Sequence, residues 1–328
     1  MARIFAYIAH KGGVPDDTAV ELVAAAKKID QAASPTAVAL GWGADLDALC
    51  ATLRASYAEV WKIAHETFAY PNAELIRKAL VKVVPPGSIV LVPHEHFGID
   101  LAPGLSIKLN AAFVSDVVAI DGVEGNDLKV VRQEFGGQVS AHVRCHIAAG
   151  AVVTVRPGAF KPLEGAAVNG NVADKSAEVG VLAAGRRYLE TVVAEAGDVD
   201  ITKFNVLVSI GRGIQEKDNV GIAQELADAL GAAVSCSRPV VDAKWMEKSR
   251  QVGSSGKTVK PKVYLACGIS GAFQHLAGIK GSPFLIAINK NSRAPIFQVA
   301  DVGIVDDILE FLPELTNKVR EMRGVAAK

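Results

Sequence analysis

The chain has 328 residues, half of them apolar, and its 35 basic residues balance 35 acidic ones. That length suits two domains, and the apolar half suffices for a large core in each. Zero net charge without a basic cluster argues against nucleic acid as a partner. No apolar run approaches the roughly 18 residues of a membrane helix, so no membrane insertion is expected.

The first residues enter a strand pattern at once, with no leader ahead of it, so a cytoplasmic location is expected. Four cysteines, Cys50, Cys145, Cys236 and Cys267, lie scattered without CxxC spacing, the pattern of reduced, buried thiols. Residues 4–8 read as a strand and 17–32 as a helix with apolar residues three and four apart. A strand at 37–40, a helix near 44–53, a strand at 59–63, a helix at 72–84 and a strand at 88–92 follow. This βαβ rhythm predicts a parallel sheet covered by helices on its faces.

The rhythm breaks after Asn110. Residues 117–160 read as strands joined by short turns, a small antiparallel extension of the first domain. A helix is expected at 182–194, and a domain boundary between residues 197 and 198. The second domain, 198–328, resumes the alternation. It has strands at 204–210, 232–235, 263–267 and 284–289, and helices at 220–230 and after Gly271. Its end, 304–322, reads as largely helical with a break at Pro313. The fold class expected is α/β in two domains, the second doubly wound.

Ligands of such sheets sit beyond the C-terminal strand ends. Four of those ends here carry chemistry: Gly211-Arg212-Gly213, Ser237-Arg238, Gly268-Ile269-Ser270-Gly271-Ala272 and Asn289-Lys290. Small residues let backbone N–H groups approach phosphate, a helix N-terminus adds a favourable dipole, and Arg212 can neutralise charge. Gln251 to Ser255 adds a loop bearing hydroxyls. Three near-motifs fail. Gly256-Lys257-Thr258 lacks the P-loop's first glycine, because Gln251 stands there. Gly268–Ala272 lacks the last glycine of a nucleophile elbow, and Gly211-Arg212-Gly213 lacks the third glycine of a dinucleotide fingerprint.

Taken together, the residues are specific. Residues 268–278 read GISGAFQHLAG, 287–290 read AINK and 294–306 read APIFQVADVGIVD, in an order and spacing that resemble the α subunit of electron transfer flavoproteins. Looser agreement comes from Asp100-Leu101-Ala102-Pro103, Ser115-Asp116-Val117 and Val155-Arg156-Pro157. The resemblance implies one FAD in the second domain, a β subunit as heterodimer partner, and an N-terminal domain at the subunit interface. It implies electron transfer from acyl-CoA or other dehydrogenases to a quinone oxidoreductase, or to ferredoxin or flavodoxin.

It also implies residue roles. Arg212 and Ser237 contact the diphosphate–ribityl region, and Arg238 lies against the isoalloxazine ring. Gln251, Val252, Gly253, Ser254 and Ser255 wrap the ring edge, with the Ser255 hydroxyl near N5. Gly268, Ile269, Ser270, Gly271, Ala272, Phe273 and Gln274 run from the phosphates to His275 near the C2 carbonyl. Asn289, Asp307 and Ile308 hold the adenosine end. A fixed guanidinium and an imidazole donor suit negative charge developing on the ring; Arg238, Ser255 and His275 are the expected tuning residues.

Two positions depart from the family's usual pattern. Ser254 replaces a glutamine, and Gly104 replaces the arginine that commonly follows DLAP. Pro239, Trp245 and residues 257–262 are more like electron-bifurcating and nitrogen-fixation relatives, which makes a bifurcating complex the alternative function. No metal site is expected: His94, His96, His142, Cys145 and His146 lack a third convergent ligand. Trp42, Trp61 and Trp245 read as core or interface residues.

Overall fold

The computed structural model describes residues 2–163, 168–186, 188–190, 199–281 and 283–324. The chain divides into two compact units, residues 1–190 and 191–328. The expected cut at 197/198 falls outside the described residues.

In the first unit, β1 (Ile4–Tyr7), a small hairpin of β2 (His10–Lys11) and β3 (Val14–Pro15), α1 (Thr18–Ile29), β4 (Thr36–Gly41), α2 (Gly43–Leu53) and β5 (Glu59–Ala64) come first. Then follow α3 (Ala73–Val83), β6 (Ile89–Pro93), α4 (His96–Leu109), β7 (Ala112–Glu124), β8 (Asp127–Glu134), β9 (Val139–His146), β10 (Ala151–Val155), β11 (Asn171–Asp174) and α5 (Ser176–Val179). Nine strands form one sheet in the order β11-β5-β4-β1-β6-β10-β7-β8-β9. The strand period sorts its core into two faces: Ile4, Ala6 and Ile8 pack on one, Phe5 and Tyr7 on the other. Both faces are covered, as a parallel sheet requires. Helix α3 shows the local cause. Asn72 Oδ1 accepts from the amides of Glu74 (3.0 Å) and Leu75 (3.3 Å), and Leu75, Ile76, Ala79, Leu80 and Val83 form its buried face.

The second unit contains β12 (Val206–Ile210), α6 (Val220–Leu230), β13 (Ala233–Cys236), α7 (Arg238–Asp242), β14 (Val263–Cys267), α8 (Phe273–Leu276), β15 (Phe284–Ile288), β16 (Val302–Ile304) and α9 (Ile308–Met322). Its sheet runs β13-β12-β14-β15-β16, all parallel. The chain order reverses between β12 and β14, which opens a crevice at their C-terminal ends.

Four expectations need correction. The stretch 117–160 is not all antiparallel: β7, β8 and β9 are, but β10 lies between β6 and β7 and is parallel to both. Its residues are fully buried and apolar except Thr154, the composition of a central parallel strand. Residues 182–186 and 188–190 form no helix; the remainder of the expected helix 182–194 lies outside the described residues. Ile304 closes strand β16, so the helix expected over 304–322 starts only at Ile308. Pro313 does not break α9. The helix is capped by Asp307 Oδ1 on the Leu309 amide (3.0 Å) and held against α6 beyond the proline, where Arg320 reaches Glu225 (3.3 Å). Tertiary packing outweighs the roughly 3 kcal/mol that an interior proline costs a helix.

Candidate functional site at the β12–β14 crevice

Strands β12, β13 and β14 end together, and their loops wall a cleft of about 410 Å³. The first loop supplies Arg212, the second Ser237, Arg238 and Pro239, and the third Gly268, Ile269, Ser270, Gly271 and Ala272. Gln274 and His275 of α8 and the loop from Gln251 to Ser255 complete the wall.

Close backbone approach fixes this geometry. A Cβ at Gly213 would lie 2.7 Å from Gly268 Cα, and one at Gly211 would lie 2.2 Å from the Gly268 oxygen. Glycine is therefore required on both sides where the two loops meet. Gly271 has φ +84°, and a Cβ there would lie 2.4 Å from the Ile296 amide nitrogen. That conformation turns Ser270, Gly271 and Ala272 across the crevice, and among the described residues no backbone carbonyl accepts from their amides.

The Gln251 loop is stitched to its surroundings. Val252 N donates to Cys236 O (2.9 Å), and Ser254 N donates to Gln274 O (2.7 Å). Gln251 is buried, and its side-chain amide donates to Ser255 Oγ at 2.9 Å. The Ser255 hydroxyl hydrogen is thereby left to point to another acceptor.

Charge at the cleft comes from two arginines. Arg238 is 68% exposed and forms a loose pair with Asp242 at 3.4 Å, so it can turn toward a ligand. His275 is 7% exposed. Burial pushes its imidazole down to about 4, while the Val252 backbone acts in the opposite direction. Nε2 lies 2.8 Å from the Tyr264 hydroxyl; Nδ1 is buried and makes no hydrogen bond within normal limits. A buried polar atom left without a bond in a residue that lines a cleft suits a ligand with a complementary polar atom.

Phe273, Asn289, Asp307 and Ile308 do not line this cleft but continue from it. The Asn289 amide donates to Ile269 O (2.9 Å), and Asp307 pairs with Lys290 (2.5 Å), which holds the Asp307 carboxyl below the usual carboxylate range. Ile308 packs beneath Gly268, and Phe273 opens α8, half exposed. Helix α8 has only four residues. The expected dipole of a helix N-terminus is therefore small, and the open amides of the preceding turn take its place.

The family model of the electron transfer flavoprotein domain matches residues 4–186, and that of the electron transfer flavoprotein FAD-binding domain matches 200–280. The electron transfer flavoprotein subunit alpha of Methylophilus methylotrophus is 36% identical over 96% of this chain and 98% of its own length. The chain belongs to the electron transfer flavoprotein alpha family. Protein FixB of Clostridium saccharobutylicum is 40% identical over 71% of this chain and 70% of its own length. The lactate dehydrogenase (NAD(+),ferredoxin) subunit LctC of Acetobacterium woodii is 34% identical over 76% of this chain and 59% of its own length.

FAD is thus the cofactor of the second unit, and membership of an alpha-subunit family implies a beta subunit. The cleft fits FAD chemically: open amides and two arginines suit a diphosphate, and the open Nδ1 suits a polar heteroaromatic ring.

Other singled-out residues are used elsewhere. Lys257 of the false P-loop pairs with Asp200 at 3.2 Å. Gly104 leaves room for Arg77 of α3: its guanidinium donates to Asp100 O (2.9 Å), and a Cβ on Gly104 would meet Arg77 Cζ at 2.5 Å. His142 and His146 share the exposed face of β9 beside Asp121 and Asp127, while Cys145 points from the opposite face into the core. Trp61 is core, Trp245 packs against the second unit's core, and Trp42 is half exposed. Among the described residues no helix is long and apolar enough to cross a membrane.

Sequence reasoning missed Tyr264 and Ser209, which stand behind His275. The available signal was a single tyrosine in the otherwise aliphatic strand VYLAC.

Proposed function

We propose that the β12–β14 cleft grips FAD along its length and that the heterodimer carries electrons singly from dehydrogenases to a separate acceptor. The buried, unbonded Nδ1 of His275, a residue of the cleft that Arg238 also lines, carries this reading. Bound FAD supplies the electron chemistry; the chain's residues bind and tune it.

Arg212, Ser237 and the amides of Ser270 to Ala272 hold the diphosphate. Arg238 places fixed charge, and His275 a neutral donor, at the polar edge of the ring. Gln251 aims the Ser255 hydroxyl at N5, while Val252, Gly253 and Ser254 shield the ring edge from water. Asn289, Asp307 and Ile308 hold the adenosine beyond the cleft, with Phe273 at its rim. The N-terminal domain, residues 1–197, bears the interface with the beta subunit. Acyl-CoA or other dehydrogenases act as donors, and a quinone oxidoreductase, ferredoxin or flavodoxin as acceptor.

Potentiometry of the co-expressed heterodimer tests the assignment. Arg238→Ala should keep FAD but lower its midpoint potential by roughly 60–130 mV, equivalent to losing a charged hydrogen bond of about 1.5–3 kcal/mol. An unchanged potential removes Arg238 from the ring. Arg212→Ala should weaken FAD binding about 10–100-fold with little effect on potential.

The similarity to LctC, whose name includes NAD(+) and ferredoxin, favours a second reading, participation in electron bifurcation. Two FAD per heterodimer together with NADH oxidation would support it; one FAD and no NADH oxidation would leave the simple carrier.

A further inference from the structure

Behind the cleft wall, three strands place a polar column in an aliphatic core. Ser209 on β12, Ser235 on β13 and Tyr264 on β14 are fully buried, and Ser209 and Ser235 are partners in register. The Tyr264 hydroxyl lies 2.7 Å from Ser209 Oγ and 2.8 Å from His275 Nε2. Phenylalanine would fill the same volume without the cost of burying a hydroxyl. The column ends on Nε2 of His275, a residue of the cleft wall.

We propose that Tyr264 is a positioning residue whose hydroxyl donates to Nε2 of His275 and so holds the ring in the tautomer that presents Nδ1–H to the FAD cleft. The inference rests on the placement of the FAD ring beside His275.

Tyr264 has one proton, so the column has two self-consistent polarities. In one, Ser209 donates to Tyr264, Tyr264 donates to Nε2, and Nδ1 carries hydrogen. In the other, Nε2–H donates to Tyr264, Tyr264 donates to Ser209, and Nδ1 is a bare acceptor. One feature selects the first. The phenol is a stronger acid than the serine hydroxyl, and the imidazole nitrogen a stronger base than the serine oxygen, so the phenolic proton goes to nitrogen.

The consequence is a division of labour. His275 stays neutral yet offers a hydrogen where negative charge develops, and Arg238 alone supplies fixed charge. A bare Nδ1 would instead repel a ring carbonyl oxygen.

Nitrogen NMR of the full-length chain in its heterodimer, labelled at the histidine ring nitrogens, reads the tautomer with FAD removed and restored. The expected result is protonated Nδ1 and unprotonated Nε2 in both states; hydrogen on Nε2 overturns the proposal. Ser209→Ala should leave this tautomer in place, because Tyr264 keeps its acceptor. A switch of tautomer in that variant establishes the opposite polarity and overturns the proposal.

Tyr264→Phe should mix the tautomers while retaining FAD. It should lower the midpoint potential by most of the drop caused by His275→Ala, and add nothing in the His275→Ala background. An equal shift in that background means Tyr264 acts through another route, and the proposal fails. If Tyr264→Phe does not fold, the unmodified protein and Ser209→Ala decide. If His275→Ala keeps FAD and its potential, the placement of the ring beside His275 fails. The FAD-free spectrum separately reads the Tyr264 link.

Discussion

Both units are built on wound sheets, the first mixed and the second all parallel, with polar side chains at the C-terminal ends of central strands, yet they use them in opposite ways. In the first unit the groups satisfy one another. Arg156 makes two bonds to Asp116 (2.8 and 2.6 Å) and reaches Gln133, and His94 bonds Thr154 (2.9 Å). In the second, Nδ1 of His275 and three consecutive amides at the cleft have no hydrogen-bond partner among the described residues. A satisfied cluster stabilises a fold; an unsatisfied one beside a void is shaped for a ligand.

The largest expected effect sharpens the ligand side of that comparison. Gly271→Ala forces a Cβ against the Ile296 amide from a left-handed conformation, and should cost about 3 kcal/mol or more and abolish FAD retention. Thermal unfolding and bound-flavin absorbance check both; full FAD occupancy would mean the turn does not shape the cleft.

Next is pH. Because burial holds His275 at about 4 in the folded chain, well below the ordinary 6.5, the unfolded state binds its proton first as pH falls. Stability of the FAD-free second unit should therefore be intact above about pH 6.5 and decline toward pH 4, by on the order of 3 kcal/mol from this group. Hydrogen exchange of the β14 amides at several pH values measures it, and His275→Asn should flatten the slope.

The first unit offers the converse. Burial alone would raise the Asp116 carboxyl, but hydrogen bonds from Arg156 and the charges of His94, Arg156 and Arg132 outweigh it and leave it below the usual range. Asp116 also sits at φ +58°, a conformation that asparagine tolerates, so Asp116→Asn isolates the charge. It should cost about 2 kcal/mol of first-unit stability and leave the FAD potential unmoved. A shifted potential would show that the two clusters are coupled.

The smallest effect concerns the false P-loop. Lys257→Ala should lose about 0.5 kcal/mol or less, the worth of an exposed pair with Asp200, and leave FAD content unchanged. Marked loss of FAD would return Lys257 to the site.

Much of this was legible locally. Strand and helix periods placed the elements to within a few residues, and the loops after β12, β13 and β14 announced themselves through glycine, serine and arginine. Of the nineteen residues expected to bind FAD, those from Gly268 to His275 other than Phe273 do line one cleft, because a single turn carries them all. Asn289, Asp307 and Ile308 lie beyond it, since they come from later strand ends. Ser254 and Gly104 show the limit: a residue missing relative to a family pattern says nothing of what fills its place. At Gly104 it is Arg77, 27 positions earlier in the chain.

By itself, then, the sequence determined the α/β class, the two-unit division, the family and its FAD, because periodicity and a contiguous turn are local properties of the chain. Tertiary structure decided that β10 enters the middle of the sheet, that α9 runs through Pro313, and that Ser209 and Tyr264 meet behind His275. Those depend on strand order and register between segments far apart in sequence. No local period encodes which buried hydroxyl will face which ring nitrogen; only the assembled sheet brings them within 2.8 Å.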